Sequence, residues 1–325
     1  MTDPTPYHLS PHSARTLLDP LRAELERLEE RTRHFEARIP LASGDEAAAL
    51  REATAALAQA RAAIEAVMAR EVSLTSPPED ASARPRVLIT GAAGRIGSDL
   101  AQRLRDDYDL RLLYHHTVPS DPPVTDWLQA DTSSVEALLP VVQDIDAIVH
   151  MAADPSTRGP WESVLSNNII ATYNLFEAAR QAGVRRVVFA STNHVMGMYD
   201  RDNQWPIYAD QPVRPDSLYG VSKAFGENLG RFYYDQYGLS VICLRIGWML
   251  PEPMDEISRW MWLSPRDCAQ VVSRALETDL GFGTFYAISA NSNRHWDITK
   301  TIELLGYRPE DDAERFFEGY GVIGS

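Results

Sequence analysis

The chain has 325 residues and a formal net charge of −15, and this length is enough for one large α/β domain with an additional module. Such a negative charge argues against a surface for nucleic acid or an anionic membrane, because both require clustered positive charge. The sequence has no apolar run of membrane-spanning length, no export signal in residues 1–12, and only two cysteines, Cys243 and Cys268. We therefore expect a cytoplasmic protein without a disulfide framework.

Residues 10–70 have the pattern of two amphipathic helices. Apolar residues recur at alternating spacings of three and four on both sides of Pro40, as in the seam between packed helices. The pattern predicts an antiparallel helical hairpin over residues 1–72, followed by a linker rich in Ser, Pro and Ala over residues 73–85. Such a hairpin is suited to self-association, to docking on a helical partner, or to packing against the rest of its own chain.

A second predicted domain spans residues 86–325 and begins with a short buried strand over residues 87–90. Three glycines follow the strand at spacings of three and lead into a helical pattern. Glycines so placed permit a tight turn and a close approach of the backbone to a pyrophosphate, and the helix N-terminus favours the anion. Because the motif lies between a strand and a helix, it predicts a dinucleotide site. The residues assigned to this site are Gly91, Ala93, Gly94, Arg95, Ile96 and Gly97.

The end of the second predicted strand, residues 110–114, relates to the choice of cofactor. An acidic residue there would accept a hydrogen bond from the ribose 2′-hydroxyl of NAD. The strand ends instead in Tyr114, followed by His115 and His116. The two histidines could donate to a 2′-phosphate, or they could simply be exposed loop residues. The sequence thus leaves the cofactor as NAD or NADP and slightly favours NADP.

Further residues suit a bound dinucleotide. Asp131 follows the third predicted strand, where a contact with the adenine is expected. The strand over residues 145–150 is followed by residues that leave room for a flat ring system, namely Met151, Ala152 and Ala153. In the helix predicted over residues 161–181, we interpret Asn168 as a structural residue that ties neighbouring segments together.

Four hydrogen-bonding side chains follow the strand over residues 186–190, at the strand end where ligands bind in open α/β sheets. As packing residues alone they would be costly to bury. A metal at His194 is not indicated, because no second and third ligand stand at metal spacing, and no metal site is predicted. The four residues are Ser191, Thr192, Asn193 and His194.

Tyr219 and Lys223 lie four residues apart in a helical segment. This spacing places a phenol and an ammonium on one helix face, where the cation can lower the pKa of the phenol and make it a proton acceptor. Lys223 and Lys300 are the only lysines among 31 basic residues, so a compact point charge is indicated at this position. We interpret Tyr219, Lys223 and the hydroxyl of Thr192 as catalytic, and a solvated helix face is the alternative.

Residues 247–264 are rich in Pro and Trp and are predicted to be irregular. Their aromatic side chains, Trp248 among them, are suited to wall a small polar-faced ligand, or to form a local core. Arg259 and Arg266 are cations within reach, and arginine is suited to bidentate capture of a carboxylate or a phosphate. The acidic tail from Glu310 is expected at the surface. Substrate-binding elements are predicted at about residues 195–215, 247–265 and 285–325.

From about Arg86 onward, the glycine motif, Thr192 and the Tyr219/Lys223 pair together resemble the extended short-chain dehydrogenases/reductases of the NAD-dependent epimerase/dehydratase group. Similarity to uronate dehydrogenases extends over residues 188–199, 214–223 and 245–247. Similarity to haloarchaeal-type NAD-dependent glucose-6-phosphate dehydrogenases extends over residues 154–155, 160–165, 167–169 and 261–268. The expected fold class is therefore α/β: a doubly wound parallel Rossmann sheet with a small C-terminal substrate-binding region, preceded by the N-terminal helical hairpin.

The resemblance also implies roles for individual residues. Tyr219 would be the base, Lys223 would lower its pKa and hold the nicotinamide ribose, and Thr192 would bind the reacting oxygen. Two departures stand out: the acidic residue expected near Tyr114 is missing, and the arginine that grips the anion in uronate dehydrogenases falls on Ile257. The candidate substrate-binding residues are Asp154, Ser156, Asn193, His194, Trp248, Arg259 and Arg266.

These observations lead to a functional hypothesis: oxidation of an aldopyranose, a sugar phosphate or a uronate, at C1 to its lactone, with hydride transfer to the nicotinamide. An epimerase or reductase acting on a nucleotide-linked sugar is the alternative within enzymes. A dehydratase is disfavoured, because Asn193 and His194 occupy the place of its acidic pair. From another class, the chain could be a nicotinamide-sensing or scaffold protein that acts through its hairpin. The expected partners are a sugar substrate and further copies of the chain, as a dimer or higher homo-oligomer.

Overall fold

The computed structural model describes residues 11–75 and 84–317. The chain divides into two compact units with a boundary between residues 81 and 82. Among the helices in the described ranges, none is long and apolar enough to cross a membrane. The same ranges contain no group of three or more His, Cys, Asp or Glu side chains that could hold a metal ion.

The first unit is a pair of helices, α1 (Pro11–Arg38) and α2 (Gly44–Thr75), joined by a short turn. Two ion pairs connect them: Arg38 meets Glu46 near the turn at 3.0 Å, and Arg61 meets Glu29 farther along at 3.3 Å. The pair farther from the turn joins an earlier residue of α1 to a later residue of α2, so the helices are antiparallel, as predicted. Helix α2 ends three residues inside the segment predicted as a linker. Leu28, Ala47 and Leu50 are buried.

The second unit contains a sheet of seven strands, all parallel, in the order β3-β2-β1-β4-β5-β6-β9. Strands β4 and β6 are buried along their whole length, as expected when both faces of a parallel sheet are covered. The strands are β1 (Arg86–Thr90), β2 (Asp109–Tyr114), β3 (Trp127–Gln129), β4 (Ala147–His150), β5 (Arg186–Thr192), β6 (Ser240–Ile246), β7 (Trp248–Met249), β8 (Trp262–Leu263) and β9 (Phe282–Ala287).

Helices cover both faces of this sheet. One buried apolar cluster packs α3, α10 and α11 on one face, and a second packs α4, α6 and α8 on the other. The predicted doubly wound Rossmann fold, preceded by N-terminal helices, is thus confirmed. The helices are α3 (Arg95–Leu104), α4 (Val135–Val142), α5 (Trp161–Val164), α6 (Ala171–Ala182), α7 (Gly197–Arg201), α8 (Leu218–Tyr237), α9 (Glu256–Met261), α10 (Pro265–Glu277), α11 (Thr299–Leu305) and α12 (Glu314–Phe317).

The segment over residues 247–264, predicted to be irregular, has more regular structure than expected. Strands β7 and β8 pair in parallel as a small second sheet, and α9 lies between them with Asp255 as its N-cap. The prediction of an irregular segment was therefore wrong. It failed because two-residue strands and a six-residue helix are too short to produce a recognisable periodicity.

The tail from Glu310 was predicted as surface, yet its side chains bind elements of the substrate region. Asp311 accepts a hydrogen bond from Ser264 at 2.6 Å, and Asp312 accepts one from Ser292 at 2.5 Å. Glu314 forms an ion pair with Arg259. The acidic composition of the tail therefore reflects specific partners as well as contact with solvent.

Candidate active site

The turn between β1 and α3 is built for close backbone approach. Gly91 has a φ of 67°, and a Cβ there would lie 2.7 Å from the backbone nitrogen of Ala152. At Gly97, a Cβ would overlap the carbonyl oxygen of Gly91. Gly94, which has no side chain to offer, is the N-cap of α3, so the first-turn N–H groups are left for an anion. The turn fits the pyrophosphate of a dinucleotide.

The end of β4 is held by a buried hydrogen-bonded chain. The Thr90 hydroxyl lies 2.8 Å from Nδ1 of His150 and accepts from the backbone N–H of Ala152 at 3.2 Å. Burial lowers the pKa of His150 to about 3, so this imidazole is neutral. These hydrogen bonds fix the position of Met151, Ala152 and Ala153, the segment predicted to flank a flat ring. Sequence reasoning assigned no role to His150. The one feature in the sequence that could have indicated a role is that this polar residue ends a buried strand.

Asn168 connects the loop after β4 to α8. Its Oδ1 accepts from the backbone N–H of Asp154 at 2.7 Å, and its Nδ2 donates to the Asp154 carbonyl at 3.1 Å and to Ser222 at 3.0 Å. The structural role predicted for Asn168 is confirmed. It lies in a single π-helical turn, residues 165–170, between α5 and α6, and such turns are frequent at functional sites. Asp154 in turn accepts from the N–H of Ser156 at 3.0 Å.

Thr192, Tyr219 and Lys223 meet at the carboxyl edge of the sheet. Thr192 is the last residue of β5, and Ser217 caps α8 by accepting from the N–H of Gly220 at 3.1 Å. This cap sets the first turn of α8, which contains Tyr219. The Nζ of Lys223 is 5.8 Å from the centre of the Tyr219 ring and 4.9 Å from that of Phe189.

Burial dominates the ionisation of both helix residues. It raises the pKa of Tyr219 to about 12, against a hydrogen bond with Thr192 that acts to lower it. Burial also lowers the pKa of Lys223 to about 7. The sequence predicted that Lys223 lowers the pKa of Tyr219, whereas in the protein alone the amine is only partly charged at neutral pH, which weakens its field.

His194 is fixed by a carboxylate that sequence reasoning missed. Its Nδ1 lies 3.0 Å from each carboxylate oxygen of Asp216, and its ring centre is 6.1 Å from that of Tyr219. Asp216 is buried, and although burial alone would raise its pKa, hydrogen bonds from His194 and Ser217 hold that pKa below the usual value. A Cβ at Gly197 would overlap this carboxylate. The available signal was an aspartate immediately before the cap of the Tyr219 helix.

A buried ion pair joins α8 to the sheet. Both carboxylate oxygens of Glu227 accept from Arg245 at 2.8 Å, and one of them also accepts from Ser191 at 2.6 Å. Glu227 and Arg245 are almost fully buried. The pair holds the helix that contains Tyr219 against β5 and β6, in a geometry that satisfies both charges.

The remaining predicted substrate residues have defined surroundings. Asn193 is buried and its Nδ2 lies 3.6 Å from the sulfur of Met261, while Trp248 is partly buried in β7. Arg259 is paired with Glu314. Arg266 meets Glu310 at 2.9 Å and Asp311 at 2.7 Å. Both arginines proposed to grip an anion therefore already have carboxylate partners.

A stack of three rings connects the predicted substrate elements. His295 lies between Trp205 and Trp260, with ring centres 3.7 Å and 4.4 Å away, and its Nδ1 is 2.7 Å from Asp200. The imidazole is buried. The stack joins the loop before α8, helix α9 and the loop before α11, so three of the predicted substrate elements meet at one ring.

A cavity of about 210 Å³ lies beside the glycine turn, and two of the residues predicted to bind the dinucleotide line it. Ala93 of the glycine turn and Tyr114 at the end of β2 line it. His115 and Asp131 instead face each other, with Nε2 and Oδ1 3.7 Å apart. Together, the cavity, the glycine turn and the fixed segment after β4 fit an extended nicotinamide dinucleotide laid across the sheet edge.

The fold and the site define the class of protein: the chain belongs to the NAD dependent epimerase/dehydratase family, which matches residues 87–250. It is 40% identical over 256 residues to the L-arabinose 1-dehydrogenase (NAD(P)(+)) of Haloferax volcanii, covering 72% of this chain and 99% of that protein. It is 36% identical over 252 residues to the NAD-dependent glucose-6-phosphate dehydrogenase of the same organism, covering 72% and 96%.

A solved structure of uronate dehydrogenase from Agrobacterium tumefaciens, a mutant complexed with NAD, is similar with a TM-score of 0.66 and 36% identity. The similarity covers 73% of this chain and 88% of that one. The family predicted from the glycine motif, Thr192 and the Tyr219/Lys223 pair is confirmed. A nicotinamide dinucleotide as the cofactor is confirmed with it.

Proposed function

We propose that the protein oxidises C1 of an aldopyranose to the corresponding lactone and transfers the hydride to NAD or NADP. The observation that supports this most directly is the meeting of Thr192, Tyr219 and Lys223 at the carboxyl edge of the sheet, the edge at which the glycine turn follows β1. The relatives described above are named as dehydrogenases of arabinose, glucose 6-phosphate and uronate. The predicted enzyme class, an NAD(P)-dependent sugar dehydrogenase acting on CH–OH, agrees with all three.

Thr192, Tyr219 and Lys223 have different roles in the proposed reaction. Thr192 donates to the reacting oxygen and orients it, and Tyr219 removes the hydroxyl proton. Lys223 holds the nicotinamide ribose, and hydrogen bonds to the ribose hydroxyls would favour the charged form of its amine, which lowers the pKa of Tyr219. The glycine turn and residues 151–153 hold the dinucleotide, which supplies the hydride acceptor when bound.

Asp216 is proposed as a positioning residue for the sugar. By accepting the Nδ1 proton of His194, it leaves Nε2 as an acceptor for a sugar hydroxyl. Asn193 offers an amide beside it, and Asp154 and Ser156 lie together in the loop after β4. The substrate is thereby recognised through several hydroxyl groups, as a sugar ring requires.

The charge environment favours a neutral aldose. Arg259 and Arg266 are already neutralised by Glu314 and by Glu310 and Asp311, so an anionic substrate would have to displace a carboxylate. A uronate or sugar phosphate is the second candidate, because Arg259 is only partly buried and its partner belongs to a short terminal helix, α12.

Three finer assignments complete the proposal. Exposed apolar side chains on α8, including Val221 and Phe232, together with Tyr173 of α6, support a homo-oligomer. The hairpin over residues 10–70 is proposed as a site for a helical partner, since two helices bury little surface on their own. Both cysteines are free and buried, which is compatible with a reducing cytoplasm.

The test is a reduction assay with purified protein. L-Arabinose, glucose 6-phosphate, glucuronate and galacturonate are each combined with NAD and with NADP, and the absorbance of the reduced cofactor is followed. Silence in every combination would refute the proposal. Turnover of nucleotide-linked sugars without net reduction would indicate the epimerase alternative, and a Tyr219→Phe variant with full biological activity would indicate the scaffold alternative.

A further inference from the structure

The cavity beside the glycine turn has a wall that comes from an unexpected segment. Besides Ala93 and Tyr114, the cavity is lined by the loop after β2 through Thr117 and Asp121. In a doubly wound fold, the ribose of the adenosine half lies between the glycine turn and the end of the second strand. The loop is therefore next to the position of the ribose 2′-hydroxyl, or of a 2′-phosphate.

The histidines that follow β2 are directed elsewhere. His115 faces Asp131, with Nε2 and Oδ1 3.7 Å apart, and its ring stacks on that of His116 with centres 3.7 Å apart. Neither is among the residues that line the cavity. Their availability to a 2′-phosphate was the reason for favouring NADP, and this placement removes it.

No cation takes their place among the described residues that line the cavity, since none of them is arginine or lysine. Arg95, the basic residue nearest to it in the glycine turn, directs its Nη1 toward the carbonyl of Met249 at 3.5 Å. The residues with polar side chains in the lining are Ser98, Tyr114 and Thr117 with their hydroxyls, Gln102 with its amide and Asp121 with its carboxylate. This set can accept hydrogen bonds from ribose hydroxyls but cannot neutralise a phosphate dianion.

We infer that Asp121 replaces the acidic residue missing at the end of β2 and makes the protein select NAD over NADP. Its carboxylate accepts from the ribose hydroxyls of NAD and repels the 2′-phosphate of NADP. Asp121 lies in a proline-rich loop rather than at the strand end, and for this reason the strand pattern did not reveal it. The inference rests on the dinucleotide site of the proposed function, and it does not depend on the sugar.

The experiment is calorimetric titration of the full chain with NAD and NADP, and with the fragments 5′-AMP and adenosine 2′,5′-bisphosphate, without any sugar. The wild-type protein is expected to bind NAD about 10- to 100-fold more tightly than NADP, the range for a hydrogen bond to a charged group. In Asp121→Asn the preference is expected to fall about tenfold or more, because NADP and the bisphosphate gain affinity. Asp107→Asn makes the same change of charge on an exposed turn outside the cavity, and it should keep the wild-type ratio.

Three results would overturn the inference. The first is tighter binding of NADP than of NAD by the wild-type protein, and the second is the same ratio of NAD to NADP affinity in Asp121→Asn and Asp107→Asn. The third is a loss of NADP affinity in His115→Ala that exceeds the change in NADP affinity in Asp121→Asn. A preference for NAD that disappears in Asp121→Asn, in a protein that oxidises none of the sugars, would leave this inference standing and refute the proposed function. The two failures are thereby distinguishable.

Discussion

Asp216 binds His194 through both of its carboxylate oxygens, each 3.0 Å from Nδ1. The carboxylate is buried beside the cap of the helix that contains Tyr219. An imidazole held in this way has one defined tautomer and one free nitrogen. The contact therefore links His194, the proposed sugar-binding residue, to the same helix terminus that positions the proposed base.

Asp216→Asn tests this link. The amide retains the size of the side chain but not its charge, so we expect kcat/KM for the sugar to fall about 10- to 100-fold, the cost of a charged hydrogen bond. The affinity for NAD and the unfolding temperature should change little. The control is Arg201→Ala, because Arg201 binds Asp216 at 3.4 Å, and its removal leaves the Asp216–His194 contact in place. Equal losses in the two variants would show that only the stability of the loop is involved.

A pH dependence of stability follows from Lys223. Burial lowers its pKa to about 7 from an ordinary value of 10.5, so between these values the unfolded chain binds more protons than the folded one. The free energy of unfolding contributed by this group therefore rises with pH across that window. Lys223→Met has no ammonium to bury, so its free energy of unfolding should exceed that of the wild type most near pH 7. The difference should become smaller toward pH 10. Urea unfolding of the ligand-free proteins measures it.

Lys300→Met is the control for that experiment, because Lys300 is the other lysine of the chain and is only partly buried. Its stability should follow the wild-type pH dependence. If the difference between Lys223→Met and the wild type stays constant across the window, the ammonium of Lys223 is not destabilised by burial in solution.

Removal of one charge from the buried Glu227–Arg245 pair should be costly. Glu227→Gln leaves the guanidinium buried without its counter-charge, and the expected loss in the free energy of unfolding is about 3–5 kcal/mol. Asp235→Asn, on the same helix, breaks an exposed pair with Arg231 at 2.7 Å and should cost about 1 kcal/mol or less. Denaturant unfolding of both variants provides the comparison, and similar losses would contradict the assigned burial of Glu227.

Glu314→Gln should change the preference among sugars. Without its carboxylate partner, Arg259 is available to an anionic substrate, and kcat/KM for glucuronate or glucose 6-phosphate should rise relative to L-arabinose by up to about fivefold, the worth of a partly exposed ion pair. Glu310→Gln removes one carboxylate partner of Arg266, which keeps Asp311 at 2.7 Å, and it serves as the control for the change of charge. An unchanged ratio in Glu314→Gln would exclude Arg259 from the substrate site.

The parts of the fold that sequence reasoning reached are those with strong local signals. The buried strands are continuous apolar runs, and the glycine turn lies between a strand and a helix, so β1, α3 and their order were predictable. Tyr219 and Lys223 were predictable because helical spacing alone places them on one face. The elements β7, α9 and β8 were missed, since each is too short to repeat its period often enough to be recognised.

The parts of the site that sequence reasoning missed depend on partners distant in the chain. Arg259 and Arg266 look like free cations until the terminal carboxylates are placed beside them. His115 looks available to a phosphate until Asp131 is placed opposite it. The charge of a side chain can be read from the sequence. The partner that neutralises this charge is set by tertiary contacts, which a single sequence does not reveal.

The ring stack of Trp205, His295 and Trp260 joins segments that are far apart in the sequence. Asp200 and His295 are 95 positions apart, so their contact closes a long loop and forms late relative to local structure. During synthesis from the N-terminus, the nucleotide half of the sheet is complete before residue 295 has been added. The glycine turn of the dinucleotide site can therefore form before the ring stack, which joins three of the predicted substrate elements.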